Sequence, residues 1–305
     1  MSVIKVEQLT KDYGHNRGVF DVCFEVQKGE VFGFLGPNGA GKTTTIRHIM
    51  GFSRPGKGKT TVNDLDSWTR HDEIMRTVGY LPGEIALPEY LTGNEFIKMM
   101  SALRSMKDMS YANKLIERFE LEPAGSLKRM SAGMKRKLAI VTAFMHDPAV
   151  LVLDEPTSAL DPVMQDIFIQ FVKEEKVRGK TILLSSHIFT EIDATCDRIS
   201  IIKDGRLVST FVADELRRSN RKEWKIEFST LGDFERFRKQ VEEPKKFLVS
   251  SVTPHKNQVQ VVVYDEQVNA FIAEMSNYTM HYFSEIKFTL EDYFMEFYDR
   301  NREVS

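Results

Sequence analysis

The chain has 305 residues, 42% of them hydrophobic, which is enough to bury a sizeable core and to form about two domains. Its 42 Lys and Arg against 44 Asp and Glu give a net charge of −2, so charge predicts no contact with nucleic acid or with an anionic membrane surface. The sequence has neither an apolar run of about 18 residues nor an apolar block near its start, so we expect no membrane span and no secretory signal.

The two cysteines, Cys23 and Cys196, are far apart in the sequence. Neither belongs to a CxxC pair or has a neighbouring histidine, so neither a metal site nor a disulfide framework is indicated. We expect two buried, inert thiols in a reducing cytoplasm.

Up to about residue 218 the sequence alternates strand and helix signals. Three apolar blocks are continuous, as expected for strands buried on both faces of a parallel sheet. They are residues 31–35, 150–153 and 181–184. Segments 3–6 and 23–26 are more amphipathic, which indicates a separate antiparallel layer near the start. We therefore predict an α/β domain over residues 1–218 with a mostly parallel core sheet.

A helical insertion of about residues 88–140 interrupts this pattern, because strand signals are absent from its first part. Thr92 and Glu95 have the spacing of a capping box at the start of a helix. A second helix is expected from Ser110 to the break at Pro123.

The pattern changes after a charged stretch that ends near residue 223. The following strand and helix signals have the order β-α-β-β-α-β, which is typical of a ferredoxin-like unit. We predict a small α+β domain of this kind over residues 219–305, with strands that include 224–228 and 282–288. A last helix is indicated from residue 289.

A phosphate loop of the form GxxxxGK[ST] follows the buried strand at 31–35 and precedes a helical pattern. Its nine residues are expected to bind the nucleotide: Gly36, Pro37, Asn38, Gly39, Ala40, Gly41, Lys42, Thr43 and Thr44. The glycines let backbone N–H groups converge on a polyphosphate, Lys42 reaches the outer phosphates, and the Thr43 hydroxyl can ligate Mg²⁺.

Two carboxylates follow the apolar strand at 150–153. Asp154 is expected to face Mg²⁺, as the acidic residue does in nucleotide hydrolases of this type. Glu155 is placed to polarise a water for attack on the γ-phosphate. Adjacent acids on a loop are usually only solvated, but the four apolar residues before them favour the catalytic interpretation.

Over about residues 3–218 the motifs resemble those of the nucleotide-binding subunits of ABC transporters, and residues 289–294 resemble extensions of multidrug, antibiotic or ion exporter ATPases. The resemblance implies a P-loop ATP-binding cassette. It also implies that His187 touches the γ-phosphate, that Tyr13 stacks on adenine, and that 158–161 contacts an opposite subunit. Without the family, His187 would more often be a structural hydrogen-bonding residue, and Tyr13 could be an aromatic residue packed at a turn.

Two motifs depart from the family pattern. The signature Leu-Ser-Gly-Gly-Gln is Met-Ser-Ala-Gly-Met at 130–134, in which Ser131 and Gly133 are retained and can meet a nucleotide bound to the other subunit. The Gln that commonly follows a Pro is replaced by Gly83, and Glu84 is the nearby side chain able to reach Mg²⁺ or water. Glu84 either substitutes for the Gln or only lies on the loop.

The resemblance implies an ATPase subunit that binds and hydrolyses MgATP in a dimer, with Lys42, Glu155 and His187 as catalytic residues. Its expected partners are a second copy or a paired ATPase subunit and a separate transmembrane permease, with export as the favoured direction. The permease would hold this cytoplasmic chain at the inner face of the cell membrane. The alternatives are a soluble ABC ATPase that acts on ribosomes or nucleic acid, and a nucleotide switch that does not hydrolyse ATP.

An apolar stripe in the insertion is a candidate docking surface for a helix of the permease. Its members are Tyr90, Leu91, Phe96, Met99, Met100, Leu103 and Met106. They supply more apolar surface than two short helices can easily bury between themselves, and methionine suits an adaptable groove. The same residues could instead form the insertion's own core.

Overall fold

The computed structural model describes residues 1–217, 221–242, 247–286 and 289–299. The chain divides into two compact units, Met1–Ala213 and Asp214–Ser305. The predicted domain boundary between residues 218 and 219 and the predicted strand end at Phe288 lie outside the described residues. Across the described ranges, no helix combines the length and the apolar character that crossing a membrane requires.

The first unit consists of strands that alternate with helices. Its strands are β1 Ser2–Asp12, β2 Gly18–Gln27, β3 Val31–Leu35, β4 Lys57–Val62, β5 Leu65–Asp66, β6 Val78–Leu81, β7 Val150–Asp154, β8 Thr181–Ser186, β9 Arg198–Lys203 and β10 Arg206–Val212. Its helices are α1 Lys42–Ile49, α2 His71–Thr77, α3 Gly93–Leu103, α4 Ser110–Arg118, α5 Ala132–Phe144, α6 Pro162–Val177 and α7 Phe189–Thr195. Helix α8, Ala213–Arg217, follows directly on β10.

These strands form two sheets. The central sheet has the order β10-β9-β3-β8-β7-β6, in which β10 pairs antiparallel with β9 and the other pairs are parallel. Every residue of β3, β7 and β8 is buried, which explains why their sequences are almost continuously apolar. The second sheet, β2-β1-β4-β5, is antiparallel. The predicted parallel core and N-terminal antiparallel layer are therefore confirmed.

A hydrophobic core joins the antiparallel sheet to β3, and in it Phe24 and Phe32 stack with ring centroids 5.1 Å apart. Cys196 is buried, as expected. Cys23 is exposed, so the prediction of a buried thiol is wrong there. The reason is the alternation along β2, which turns Cys23 away from the core between buried Val22 and Phe24.

The neighbouring positions of β3, β8 and β7 bring the predicted motifs together. Strand β3 leads into the phosphate loop, β7 ends at Asp154, and β8 ends at Ser186, next to His187. Because parallel strands end at the same edge of a sheet, these residues converge although they are distant in sequence.

Helices α3, α4 and α5 lie between β6 and β7 and form the predicted insertion. The capping box is present: the Thr92 hydroxyl accepts a hydrogen bond from the Glu95 N–H at 3.3 Å, and the Glu95 carboxylate accepts one from the Thr92 N–H at 2.7 Å. The predicted extension of α4 to Pro123 is wrong. The helix ends earlier, where Glu120 adopts a left-handed conformation with φ 47°.

The second unit has the predicted order β-α-β-β-α-β. Its elements are β11 Arg221–Phe228, α9 Leu231–Glu242, β12 Leu248–Thr253, β13 Gln258–Tyr264, α10 Val268–Met275, β14 Met280–Ile286 and α11 Leu290–Asp299. The strands pair antiparallel in the order β12-β13-β11-β14. The core is rich in aromatic rings, such as Phe228 and Phe237 with centroids 5.2 Å apart. The predicted ferredoxin-like α+β unit is confirmed.

Candidate active site

The phosphate loop connects β3 to α1 in a conformation that requires glycine. Gly41 is the N-cap of α1 with φ 109°, and Gly39 has φ 81°. At Gly36 a Cβ would lie 2.4 Å from the carbonyl oxygen of Ile202. The loop is thereby fixed at the amino end of a helix, where backbone N–H groups and the helix dipole attract anions.

Lys42 is the first residue of α1 and is buried. Its Nζ donates hydrogen bonds to the carbonyl oxygens of Gly36 and Pro37 at 2.5 and 3.1 Å, and it lies 3.0 Å from Oε1 of Glu155. These partners hold the ammonium group in the middle of the predicted site.

Asp154 ends β7 and is completely buried. The Ser185 hydroxyl donates to Oδ1, whereas Oδ2 accepts no hydrogen bond from the part of the chain that the structure describes. A buried carboxylate oxygen without a donor is costly unless a cation or another ligand pairs with it. Among the described residues no cluster of three or more His, Cys, Asp or Glu could hold a metal by itself. This donor set fits Mg²⁺, which typically uses one or two protein ligands together with water and substrate phosphates.

Glu155 connects Lys42 to His187. Its Oε2 lies 2.6 Å from Nδ1 of His187, while its Oε1 faces the Lys42 ammonium. The residue has a left-handed φ of 49°, and its N–H donates to the carbonyl oxygen of Ser185 at 3.0 Å. The three side chains that the sequence predicts to be catalytic thus form one continuous series of contacts.

A cavity of about 690 Å³ lies beside these residues, and we call it the site cavity. Its lining includes Asn38, Thr43, Glu84, Glu155 and His187. Of the other loop residues, Ala40 is buried and both Pro37 and Thr44 are half-buried. A larger cavity of about 930 Å³ lies between α4 and α6 and contains none of the predicted site residues, so volume alone does not locate the site.

Tyr13, Ser131 and Gly133 are not among the described residues that line the site cavity. Tyr13 is 57% exposed on the loop between β1 and β2, with Nζ of Lys11 5.8 Å from its ring centroid. Ser131 is the exposed N-cap of α5, and its hydroxyl accepts a hydrogen bond from the Met134 N–H at 3.2 Å. The N-terminal end of α5, which carries signature residues 131–134 and which we call the signature end, is therefore accessible from outside the chain.

Gly83 brings backbone, rather than a side chain, against the Asp154 carboxylate. A Cβ at Gly83 would lie 2.9 Å from Oδ2 of Asp154, which is closer than real Cβ atoms come to such an oxygen. Glu84, the next residue, is exposed and borders the site cavity. A side chain at position 83, where the family commonly has Gln, would require either the loop or the Asp154 carboxylate to shift.

Two buried charged residues near the site are not predicted by the sequence motifs. Arg136 of α5 is 4% exposed and donates hydrogen bonds to two loops beside the site. Glu191 of α7 is 1% exposed, and its burial raises the pKa to about 7, although the hydroxyls of Ser186 and Thr157 act in the opposite direction. Arg136 stands between two lysines, so its sequence context does not distinguish it from a solvated basic residue.

A phosphate loop with a buried lysine, beside carboxylates at the ends of neighbouring parallel strands, defines a P-loop nucleotide hydrolase. Residues 19–158 match the family described as ABC transporter. The chain is 33% identical over 234 residues to the bacitracin transport ATP-binding protein BcrA of Bacillus licheniformis, covering 75% of this chain and 76% of that protein. It is 34% identical over 212 residues to the linearmycin resistance ATP-binding protein LnrL of Bacillus subtilis, covering 68% of each.

Solved structures agree with this assignment. An ATP-binding subunit of an ABC transporter aligns with a TM-score of 0.65 at 31% identity, over 71% of this chain and 92% of that chain. A dimeric bacterial ABC transporter cassette aligns with a TM-score of 0.63 at 23% identity, over 69% of this chain and 98% of that chain, which supports the fold. The chain belongs to the ATP-binding subunits of ABC transporters, and it binds and hydrolyses ATP. The family resemblance predicted from the motifs is confirmed.

Proposed function

We propose that this ATPase uses Lys42, Glu155 and His187 to hydrolyse ATP at a site shared by two subunits, and that hydrolysis drives an export permease. One observation carries the proposal. The three side chains form one series of contacts at the amino end of α1, beside a buried oxygen of Asp154 that no described residue bonds.

The phosphate loop binds the polyphosphate of ATP through its backbone N–H groups, the amino end of α1 and Lys42. The outer phosphates compete with the carbonyl oxygens of Gly36 and Pro37 for the Lys42 ammonium, because a charged acceptor makes the stronger hydrogen bond. Tyr13 offers an exposed aromatic face on which adenine can stack.

Thr43 and Asp154 are the residues that would hold Mg²⁺. Two observations support this assignment. Thr43 lines the site cavity, and Oδ2 of Asp154 accepts no hydrogen bond from any described residue. When bound, Mg²⁺ neutralises charge on the β- and γ-phosphates. Glu84 adds a carboxylate at the cavity that can bind a water beside the γ-phosphate.

Glu155 acts as the general base that accepts a proton from the attacking water. The Lys42 ammonium lies 3.0 Å from Oε1 of Glu155, so this ion pair holds the carboxylate beside the phosphate loop. The contact between His187 Nδ1 and Glu155 Oε2 orients the carboxylate, so His187 positions the base as well as touching the γ-phosphate.

Ser131 and Gly133 complete the site of the opposite subunit, which is a second copy or a paired ATPase chain. The support is the accessible N-terminus of α5, where a hydroxyl and backbone N–H groups are suited to phosphate. ATP held between two subunits favours the closed dimer, and hydrolysis releases it.

A separate transmembrane permease is the proposed membrane partner, docked on the apolar stripe. Tyr90, Met99 and Leu103 of this stripe are 84%, 37% and 70% exposed, whereas the insertion buries other residues, such as Ile97 and Leu115. The other four members of the stripe are half-buried. The permease would hold the chain at the inner face of the cell membrane. Export is supported by two relatives that are named for bacitracin transport and for linearmycin resistance.

Glu155→Gln tests the proposed site, because it keeps the shape of the side chain and removes its basicity. We expect retained ATP binding, turnover lowered by about 10²-fold to 10⁴-fold, and a dimer trapped by ATP and Mg²⁺ in size-exclusion chromatography. Glu89→Gln, at an exposed position before α3, is the matched control and should hydrolyse ATP normally. Near-normal turnover of Glu155→Gln would remove Glu155 from the mechanism, and a monomer under those conditions would count against the shared site.

A further inference from the structure

Arg136 joins α5 to two loops through backbone carbonyl groups. Its guanidinium donates from Nε to Ser158 at 3.0 Å, from Nη1 to Pro82 at 2.9 Å and from Nη2 to Gly83 at 2.6 Å. Pro82 and Gly83 follow β6, and Ser158 follows β7, which is the next strand in the central sheet. One side chain therefore fixes the spacing of two separate loops.

Both loops are connected to the carboxylates of the site. The Ser158 N–H donates to the Glu155 carbonyl oxygen at 3.1 Å and closes a turn that starts at Glu155. The backbone at Gly83 lies so close to Asp154 that a Cβ would be 2.9 Å from its Oδ2. Displacing either loop would change the position or the surroundings of a carboxylate.

The signature end of α5 touches the loop after β7 at a second point. A Cβ at Gly133 would lie 3.0 Å from the carbonyl oxygen of Ala159, so α5 approaches this loop closely. Gly133 and Arg136 are three residues apart on α5 and thus lie on the same face of the helix. Helix α5 is therefore hydrogen-bonded to the loop after β7 at Ser158 and closely approaches it at Ala159.

The charge and shape of arginine suit this position. Its planar guanidinium offers N–H donors in a fixed fork, which a lysine ammonium cannot reproduce. Burial lowers the pKa of Arg136, whereas the carboxylates of Asp154, Glu155 and Glu191 raise it. The guanidinium thus offsets three acidic groups at the same time as it bonds the loops.

We propose that Arg136 is a positioning residue for ATP hydrolysis, which keeps the 82–83 loop and the turn from Glu155 to Ser158 in register with the signature end of α5. It acts through backbone carbonyl groups and not on the nucleotide. A movement of α5 would therefore shift both loops and change the positions or surroundings of Asp154 and Glu155 at the same time. The inference rests on the proposed role of Glu155.

The test compares full-length Arg136→Lys and Arg136→Met with the control Lys137→Met on the same helix. Hydrogen exchange at the Ser158 amide, measured without nucleotide, reports whether the turn is held. We expect this exchange to accelerate by about tenfold or more in both Arg136 variants and not in the control. Per folded molecule, kcat should fall by about 10-fold to 100-fold while KM for ATP changes by less than about twofold.

Thermal unfolding of each variant separates this effect from loss of folded protein. If Arg136→Met does not fold, Arg136→Lys tests the inference by itself, because it keeps the positive charge and removes the planar set of N–H donors. Unchanged exchange at Ser158, or unchanged kcat in folded Arg136→Lys, would overturn the inference. Glu155→Gln is assayed in parallel. Normal ATP turnover by this variant would contradict the proposed role of Glu155. Hydrogen exchange at the Ser158 amide would still show whether Arg136 holds the turn.

Discussion

Glu191 is a single carboxyl group whose ionisation depends on the protein around it. It lies on α7 with 1% exposure, and the neighbouring charge of Glu155 adds to the effect of burial, which raises its pKa to about 7. A carboxyl group with this pKa changes its charge near neutral pH. The four-residue spacing from His187 is visible in the sequence, but the burial that shifts the pKa is not.

Glu191→Gln should make stability less dependent on pH. A carboxyl with a raised pKa favours the folded state in its protonated form, so its contribution is largest in acid and is lost as the pH rises through about 7. The free energy of unfolding of the wild type minus that of Glu191→Gln should therefore fall by about 2 to 3 kcal/mol between about pH 5 and pH 8. Urea unfolding at several pH values measures this difference. A difference that stays constant with pH would contradict the prediction.

The loop after β6 carries Gly83 at the position where the family commonly has Gln, so no side chain extends from this position. Gly83→Ala places a Cβ 2.9 Å from Oδ2 of Asp154, so either the loop or the Asp154 carboxylate must shift. We expect ATP turnover to fall by about tenfold or more and the Mg²⁺ concentration for half-maximal rate to rise. Gly125→Ala is the matched control, because nothing lies within 4 Å of the Cβ position there. Equal kinetics of the two variants would show that the approach of Gly83 to Asp154 has no functional consequence.

Elements that depend on local patterns are the ones that the sequence predicts well. Continuous apolar blocks identify the buried strands, and the Thr92–Glu95 spacing identifies the start of α3. The end of α4 is not predicted correctly, because the left-handed conformation of Glu120 is not encoded by a Gly or Pro signal. The bonds of Arg136 are not predicted at all, because they join positions that are 22 to 54 residues apart in the sequence.

At the scale of the whole molecule, the chemistry lies in the first unit. The family match at residues 19–158, the phosphate loop and the contacts of Glu155 all fall within Met1–Ala213. The second unit has its own aromatic core and a fold that hosts many unrelated activities, so its fold assigns it no reaction. The apolar stripe proposed as the docking surface for a permease also lies within the first unit, so the docking experiment is made there.

Leu103→Glu should prevent assembly with the permease without affecting the isolated ATPase. Leu103 ends α3 and is 70% exposed, so a charge is tolerated there in water but would be desolvated under a docked apolar helix. The measurement is co-purification, from detergent-solubilised membranes, with a neighbouring gene product that has about six apolar spans. ATP hydrolysis by the purified variant should stay at the wild-type level.

Val177→Glu is the matched control for this experiment. Val177 ends α6 and is 88% exposed, so the same apolar-to-acidic change is made on a surface outside the stripe. We expect this variant to assemble normally, because the docked helix would not cover it. An intact complex with Leu103→Glu would place the permease elsewhere. Equal loss of assembly in both variants would show that added negative charge, and not the apolar stripe, decides the binding.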